Sequence, residues 1–453
     1  MSWLNKKVTV IGLGKSGLAV IKKLVSLNAQ VFLSDIMPQE IFPPQTIAEI
    51  KNTGIQYEFG QHSEKSLENC DLIVVSPGVH LDLAIFEEAK NRNIPVISEI
   101  ELAFQRLKKP IIAVTGTNGK TTTVTLIGEL LKAAGYQAIC AGNIGYPLIE
   151  VDDKDLDYIV VEVSSYQLES IQEFRPYISL LLNITEDHLE RHKTIEEYSR
   201  IKSRVFENQT PKDYLIYNCD DKRIKTLVKK ARAKKIAFSL KAHKKGGSLK
   251  KNQLFFNAEP LININEIFIK GRHNLQNILS AICVAKICRI PDEVICQVLR
   301  EFKGVEHRIE YVNQINQASF YNDSKGTNPD STIVALKSFG KKKKIILIAG
   351  GRDKKTSLTE LCRQIKKYTK GVILIGEARE RFEQAFADCG YRKTYAEKDL
   401  KSAVEKAFAL SQPEDIILFS PACASFDMFK NFEDRGQKFK DIVNSIAKEK
   451  NYG

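Results

Sequence analysis

Short apolar runs that end in glycine turns and hand over to amphipathic stretches recur along this chain, and that alternation constrains its fold more than any other feature. KVTVIGLGKSGLAVIKKLVSLNAQVFLSD, Lys7 to Asp35, reads as a buried strand, a glycine turn, a helix and a second strand. DLIVVSPGV, IPVIS, IIAVTG, DYIVVEV, KIILIAGG, GVILIG and DIILFSP repeat the strand half of the pattern, and most are followed by helical spacing. Strands alternating with helices pair in parallel, because each crossover helix packs back on the sheet. Both faces are then covered, which is why the strands read as continuous apolar runs. The fold class expected is α/β with mostly parallel sheets.

At 453 residues the chain exceeds one compact core, and three domains are expected: 1–98, 99–303 and 304–453. Hydrophobic content of 43% with 27% charged residues excludes a disordered or fibrous chain. No run approaches the roughly 18 to 20 apolar residues that span a bilayer, and a soluble cytoplasmic protein is the expectation. Nine scattered cysteines without a Cys-x-x-Cys pair read as reduced thiols, not as disulfides or zinc ligands. The net charge of +13 has one source: thirteen Lys and Arg between Lys222 and Lys251, with no acid among them, equal the whole excess. That run is remote from the motifs below and reads as a solvated surface region free to be mobile, so no nucleic-acid partner is expected.

Two glycine turns carry chemistry. Gly12-x-Gly14-x-x-Gly17 between strand and helix, with Asp35 closing the next strand, is the form of a dinucleotide-type fold. Its glycines let the backbone approach a diphosphate, and a helix start favours negative charge. The second turn, Gly116-Thr117-Asn118-Gly119-Lys120-Thr121-Thr122, follows the strand IIAVTG. Backbone amides there can wrap phosphate oxygens, Lys120 can offset their charge, and a threonine hydroxyl can ligate magnesium. The common phosphate-loop template wants a glycine where Val114 stands.

TGTNGKTT resembles the shortened nucleotide loop of the Mur ligases and folylpolyglutamate synthases, which accounts for Val114. GNIGYP, EVSSYQLE, NITEDHLERH, GRHNLQN, EHRIE, NDSKGTN and SPACASFDMFKNFEDRG, in that order, resemble the D-glutamate-adding branch of the Mur ligase family. That resemblance implies three domains: a Rossmann-like amino-terminal domain for a UDP-sugar, a central ATPase domain and a Rossmann-like carboxy-terminal domain for an amino acid. It also implies the reaction. ATP phosphorylates the carboxylate of UDP-N-acetylmuramoyl-L-alanine, and the amine of D-glutamate displaces phosphate from the acyl phosphate. The enzyme would serve cytoplasmic peptidoglycan precursor synthesis as a monomer.

The resemblance also implies site residues. Gly116, Thr117, Asn118, Gly119, Lys120, Thr121 and Thr122 would hold ATP, with Asn274, Asn277, His307, Arg308 and Asp323 around the nucleotide and the reacting phosphate. Thr121, Glu162, His188 and Lys202 would serve two magnesium ions, Lys202 as a carbamate. A lysine adds carbon dioxide only as the neutral amine, so burial or neighbouring cations must favour that form. Lys15, Ser16, Asp35, Ser76, Gly78 and Asn143 would meet the UDP-sugar. Lys325, Thr327, Lys354, Ser425, Phe426 and Phe432 would hold D-glutamate, with Lys355 an alternative to Lys354 because GGRDKK departs from the family's GGDGK-like form. Taken singly, an asparagine is equally a cap, a phenylalanine equally core, and Lys202 an exposed helix lysine.

Three other readings stand beside this one. A folylpolyglutamate synthase lacks the amino-terminal UDP-binding domain. An NAD-dependent oxidoreductase would use Asp35, 23 residues after Gly12, on a ribose. A nucleic-acid-stimulated ATPase would use the basic stretch.

Overall fold

A computed structural model describes residues 3–185, 189–269, 271–339, 343–353 and 355–451; His188 and Lys354 lie outside the described residues. The chain forms an α/β structure with three sheets, partitioned into two compact units. The first holds Met1–Glu266 and Leu275–Arg300, the second Ile267–Asn274 and Glu301–Gly453.

The first unit contains two sheets. β1 (Lys7–Ile11), β2 (Gln30–Asp35), β3 (Gln56–Phe59), β4 (Leu72–Val75) and β5 (Val96–Ser98) lie in the order β3-β2-β1-β4-β5 and are all parallel. The order reverses direction at β1, and a crevice opens at such a switch point beyond the strand's carboxyl end. The helix Lys15–Ser26 starts there and buries Ala19, Val20, Ile21 and Leu24.

The second sheet comprises β6 (Ile111–Thr115), β7 (Ala138–Gly142), β8 (Tyr158–Glu162), β9 (Ile178–Leu181), β10 (Tyr214–Asn218), β11 (Lys234–Ser239), β12 (Gly247–Lys250), β13 (Gln253–Phe256) and β14 (Glu259–Asn263). Their order is β14-β13-β12-β11-β10-β9-β6-β8-β7. Pairing is parallel from β7 to β12 and antiparallel through the hairpins β12-β13-β14. β6 is the switch strand of this sheet, and the glycine-lysine turn leaves its carboxyl end. One continuous core runs through the unit, from Val8 and Leu33 through Ile100 and Leu148 to Ile159 and Phe174.

The second unit holds β15 (Glu310–Ile315), β16 (Ala318–Asn322), β17 (Ile345–Gly350), β18 (Thr369–Ile375), β19 (Thr394–Ala396) and β20 (Ile416–Phe419), in the order β15-β16-β20-β17-β18-β19. All pairs are parallel except β15-β16. Successive residues of β17 face opposite ways: Ile345, Leu347 and Ala349 enter one core, Ile346 and Ile348 the other. A strand buried on both faces must be apolar throughout. Pro329 opens the helix Pro329–Ser338, capped by Asn328 Oδ1 accepting from the Ser331 amide at 2.8 Å.

The basic stretch is regular structure and not a mobile loop. It forms the helix Lys222–Leu227, β11 and β12, held by buried Ile224, Val228, Ala237 and Phe238. Its thirteen cations all stay exposed. No helix among the described residues is long and apolar enough to cross a membrane.

Candidate functional site

The turn after β6 is a preformed cradle. Gly119 caps the helix Lys120–Ala133 with φ 87°, and a Cβ there would lie 2.2 Å from Asn277 Oδ1. Both the backbone angle and the close approach of Asn277 therefore demand glycine. The segment after β9 braces the turn from the side: Asn183 Oδ1 accepts from the Asn118 amide at 2.8 Å, its Nδ2 donates to the Asn118 carbonyl at 2.9 Å, and its carbonyl accepts from the Thr117 amide at 2.9 Å. Thr117 Oγ1 accepts from the Thr185 amide at 3.0 Å. Lys120 Nζ folds over the turn, donating to the carbonyls of Gly116 at 3.0 Å and Thr117 at 2.9 Å. Thr122 follows in the first turn of the helix and is buried.

Three of the proposed metal-site residues converge beside it. Thr121 Oγ1 donates to Glu162 Oε2 at 2.8 Å, and Asn143 Nδ2 donates to Glu162 Oε1 at 2.8 Å. Glu162 ends β8, next to β6, so strand register brings it to the turn. Lys202 is 1% exposed, donates to the Gly116 carbonyl at 3.0 Å and lies 4.5 Å above the Tyr198 ring. It is thus a buried residue of the cradle, not the exposed helix lysine its spacing suggests. Hydroxyl and carboxylate oxygens side by side fit magnesium, which takes hard oxygen donors from few side chains and completes its shell with phosphate and water. His192 has its ring 3.0 Å from Ser165 Oγ and stacked on Tyr166. Among the described residues no group of three His, Cys, Asp or Glu side chains gathers to hold a metal.

A cleft of about 740 Å³ opens at the switch point of the first sheet. Gly12, Lys15, Ser16, Asp35, Ser76 and Gly78 line it, joined by Gly142, Asn143 and Gly145 from the second sheet. Asp35 does not point a free carboxylate into this cleft: its oxygens accept from the Leu13 amide at 2.6 Å and the Met37 amide at 2.8 Å. Ser76 Oγ donates to the Gly12 carbonyl at 2.7 Å, and Gly12, φ 94°, has no room for a Cβ beside Val79 and Ser76. Lys15 Nζ reaches the Gly145 carbonyl at 2.5 Å, which ties the two glycine-rich edges of the cleft together. Asn143 belongs to both the cleft and the Glu162 corner.

In the second unit, neighbouring strands β16 and β20 send two loops off the same end of the sheet. The first carries Asp323, Lys325 and Thr327; the second carries Ser425 and Phe426. Asp323 is buried, and its carboxyl accepts from Ser420 Oγ at 2.6 Å and the Ile309 amide at 3.3 Å. Burial pushes its pKa up to about 7, against the pull of Ser420 and Arg308. His307 sits at φ 61°, and its carbonyl accepts from the Lys325 amide at 3.0 Å. Desolvation holds its imidazole below the ordinary histidine range. Lys325 Nζ lies 5.7 Å above the Phe432 ring, and Ser425 is buried. Phe426 is 65% exposed, which its reading as core does not allow. Lys355, the alternative to Lys354, is exposed with φ 52°. Asn274 falls in the second unit, whereas Asn277 falls in the first.

Sequence reasoning passed over two residues that organise these loops. Asn183 lies within NITEDH, where an asparagine looks like any turn residue. Arg435 lies within FEDRG and has the look of a surface charge, yet it is 1% exposed. Its Nε donates to Ser324 Oγ at 3.0 Å, Nη2 to the Ser324 carbonyl at 2.8 Å, and Nη1 to the carbonyls of Cys423 at 3.1 Å and Ala424 at 3.0 Å. Desolvation lowers the pKa of this guanidinium to about 10. One side chain thus fastens the Lys325 loop to the Ser425 loop.

Comparison with known proteins gives this geometry a family. The description "Mur ligase MurD-like, N-terminal domain" matches residues 6–98, "Mur ligase middle domain" 114–285, and "Mur ligase, glutamate ligase domain" 307–423. The UDP-N-acetylmuramoylalanine–D-glutamate ligase of Thermoanaerobacter sp. (strain X514) is 44% identical over 461 residues, covering 99% of this chain and all of that one. The protein of the same name from Clostridioides difficile (strain 630) is 43% identical over 454 residues, covering 98% of this chain and all of that one. Among solved structures, MurF ligase from Thermotoga maritima in complex with ADP superposes with a TM-score of 0.60 at 16% identity, over 98% of this chain and 96% of that one. MurC, the UDP-N-acetylmuramate-alanine ligase of the same organism, gives 0.59 at 20% identity, over 97% of this chain and 99% of that one. Likeness at such identity shows the fold, while the full-length relatives above 40% show the family. On the strength of those relatives and of the three matched domain descriptions, the chain belongs to the Mur ligase family.

Proposed function

We propose that this chain joins D-glutamate to UDP-N-acetylmuramoyl-L-alanine at the expense of ATP, in peptidoglycan precursor synthesis. The observation that carries the reading is full-length similarity, at 44% identity, to a ligase of that name. The division into domains at 98/99 and 303/304 is supported by the three family descriptions, which fall inside those limits. We take the enzyme to work as a cytoplasmic monomer, since one chain supplies every residue assigned below.

The chemistry follows from an unreactive acid. A carboxylate resists amines until one of its oxygens becomes a good leaving group. Transfer of the γ-phosphoryl group to the alanyl carboxylate supplies that group and releases ADP. The amine then attacks the carbonyl carbon, loses a proton and expels phosphate. The amides of the turn 116–122 would cradle the ATP phosphates, and Lys120 would leave its two carbonyls to offset their charge. Asn277, packed under Gly119, fixes the turn. Magnesium, when bound, neutralises charge between phosphate oxygens. We assign one ion to Thr121 and Glu162, and a second to Lys202 as a carbamate with His188. The burial of Lys202 supports that form, because a low-dielectric site favours the neutral amine that adds carbon dioxide.

Lys15, Ser16, Asp35, Ser76, Gly78 and Asn143 would hold the UDP-sugar in the first-sheet cleft, with the diphosphate at the start of the helix Lys15–Ser26. Lys325, Thr327, Ser425 and Phe432, with Lys354 or Lys355, would hold D-glutamate; its two carboxylates call for cationic and hydroxyl donors. Phe426 would cover it. Arg308, with His307, Asp323 and Asn274, would stabilise charge on the moving phosphoryl group.

The test is phosphate release with ATP, magnesium and UDP-N-acetylmuramoyl-L-alanine against a panel of amino acids. D-glutamate alone should start turnover. Equal turnover with L-glutamate, or turnover that ignores the UDP-sugar, would overturn the assignment.

A further inference from the structure

The amino-end rim of the second sheet carries charge that the reaction does not use. β10 and β11 run parallel, and the Lys234 amide donates to the Asp213 carbonyl at 2.9 Å, so the segments preceding both strands lie together. Lys212, Lys229, Lys230, Arg232, Lys234 and Lys235 all emerge there, and all are exposed. None of the six forms an ion pair among the described residues, whereas exposed cations elsewhere do, such as Lys22 with Glu49, Arg200 with Glu197 and Arg300 with Glu266. Asp213, which directly precedes β10, is buried, accepts from the Thr210 amide at 2.7 Å and hydroxyl at 2.8 Å, and lies 4.0 Å from Arg175 Nε. The β10–β11 part of the rim therefore holds concentrated positive charge without ion pairs among the described residues, while the exposed acids Asp152, Asp155 and Asp157 lie ahead of β8, three strands from β10.

Its position limits what that charge is for. β9 links β10 to β6 in parallel register, so the phosphate cradle lies at the carboxyl end and this rim at the other, roughly 16 Å away along five-residue strands. That exceeds the Debye length of about 8 to 10 Å near physiological salt, so steering of anionic substrates to the cradle would be largely screened. Five of the six cations are lysines, compact charges suited to diffuse attraction and not to the bidentate contacts that arginine makes with nucleic acid. Tyr214 at the rim has one ring face taken by Lys234 Nζ at 5.1 Å and Tyr177 edge-on at 5.6 Å, which reduces the ring surface open to a stacked base. We propose that this rim docks the enzyme reversibly on an anionic lipid surface, leaving the carboxyl end with its loops free for substrates.

Cosedimentation of the full chain with vesicles tests this. Partition onto phosphatidylglycerol–phosphatidylcholine vesicles at ~0.1 M salt should exceed that onto phosphatidylcholine alone at least about tenfold, and most of the excess should vanish near ~0.5 M. Replacing Lys229, Lys230, Lys234 and Lys235 by Gln should lower partition at least about tenfold without changing turnover. Replacing Lys241, Lys244, Lys245 and Lys250 by Gln removes as much charge from the opposite end and should cost less than about threefold. Inorganic phosphate at matched ionic strength should displace nothing. No preference for anionic vesicles, equal losses in the two variants, or displacement by single-stranded RNA at far lower phosphate concentration than the lipid's would overturn the proposal.

Discussion

At Lys202 the chain buries an amine on the inner face of its helix, beside buried Tyr198, Ser199 and Ile201, and turns it onto the carbonyl of Gly116. A buried charge is costly, so a residue kept there has a task that an apolar side chain would not perform. If the task is to carry a carbamate, Lys202→Ala should lose at least about a hundredfold in turnover. A short carboxylic acid that fills the space should then restore part of it, because it returns an anionic oxygen donor to the same place. Full activity in the unsupplemented variant, measured by phosphate release, would contradict the role. The glycine-lysine turn was legible in sequence because few residue types tolerate a left-handed strand-to-helix turn with amides facing one point. Lys202 was legible only through resemblance, since helical spacing carries no sign of burial.

Elements place these residues through their ends. β6 and β8 are neighbours, and so Thr121 meets Glu162; β16 and β20 are neighbours, and so the two loops of the second unit leave together. Arg435, in the first turn of the helix Phe432–Asn451, locks that pair with four hydrogen bonds. Arg435→Lys keeps the charge but not the planar fork, and should raise KM for D-glutamate at least about tenfold while leaving KM for ATP within about twofold. Equal rises in both would mark Arg435 as merely structural.

The short helix Glu99–Phe104 joins the two sheets of the first unit in the same manner. Glu101 accepts from the amides of Gln172, Glu173 and Phe174, and Glu99 Oε1 from that of Ile149 at 2.7 Å, while Glu99 Oε2 is buried without a hydrogen-bond partner among the described residues. Desolvation raises the Glu99 pKa from 4.5 to about 7. The folded state therefore holds this proton more tightly than the unfolded chain does. Its contribution to stability is fully present below 4.5 and is lost as pH rises through about 7, on the order of 3 kcal/mol. Glu99→Gln should flatten the pH dependence of the melting temperature across that window, and an unchanged slope would contradict the account. Strands buried on both faces were legible as apolar runs. β3, QYEF, was not, because an edge strand with partly exposed residues lacks that signature.

Over the whole molecule, three sheets each leave a crevice or a loop pair at their carboxyl ends; the alternation of apolar runs with helical spacing made the mostly parallel sheets legible, but not what gathers at their ends. The residues that bind loops to one another stayed hidden. Asn183 and Arg435 act through contacts distant in sequence, and no local pattern separates a buried arginine from a solvated one. The account rests on activation of a carboxylate by phosphoryl transfer at Lys120. UDP-N-acetylmuramoyl-L-alanine labelled with oxygen-18 in the alanyl carboxylate tests it directly. After turnover with ATP and D-glutamate, the inorganic phosphate should carry one labelled oxygen per amide formed when both carboxylate oxygens are labelled; phosphate free of label would contradict it.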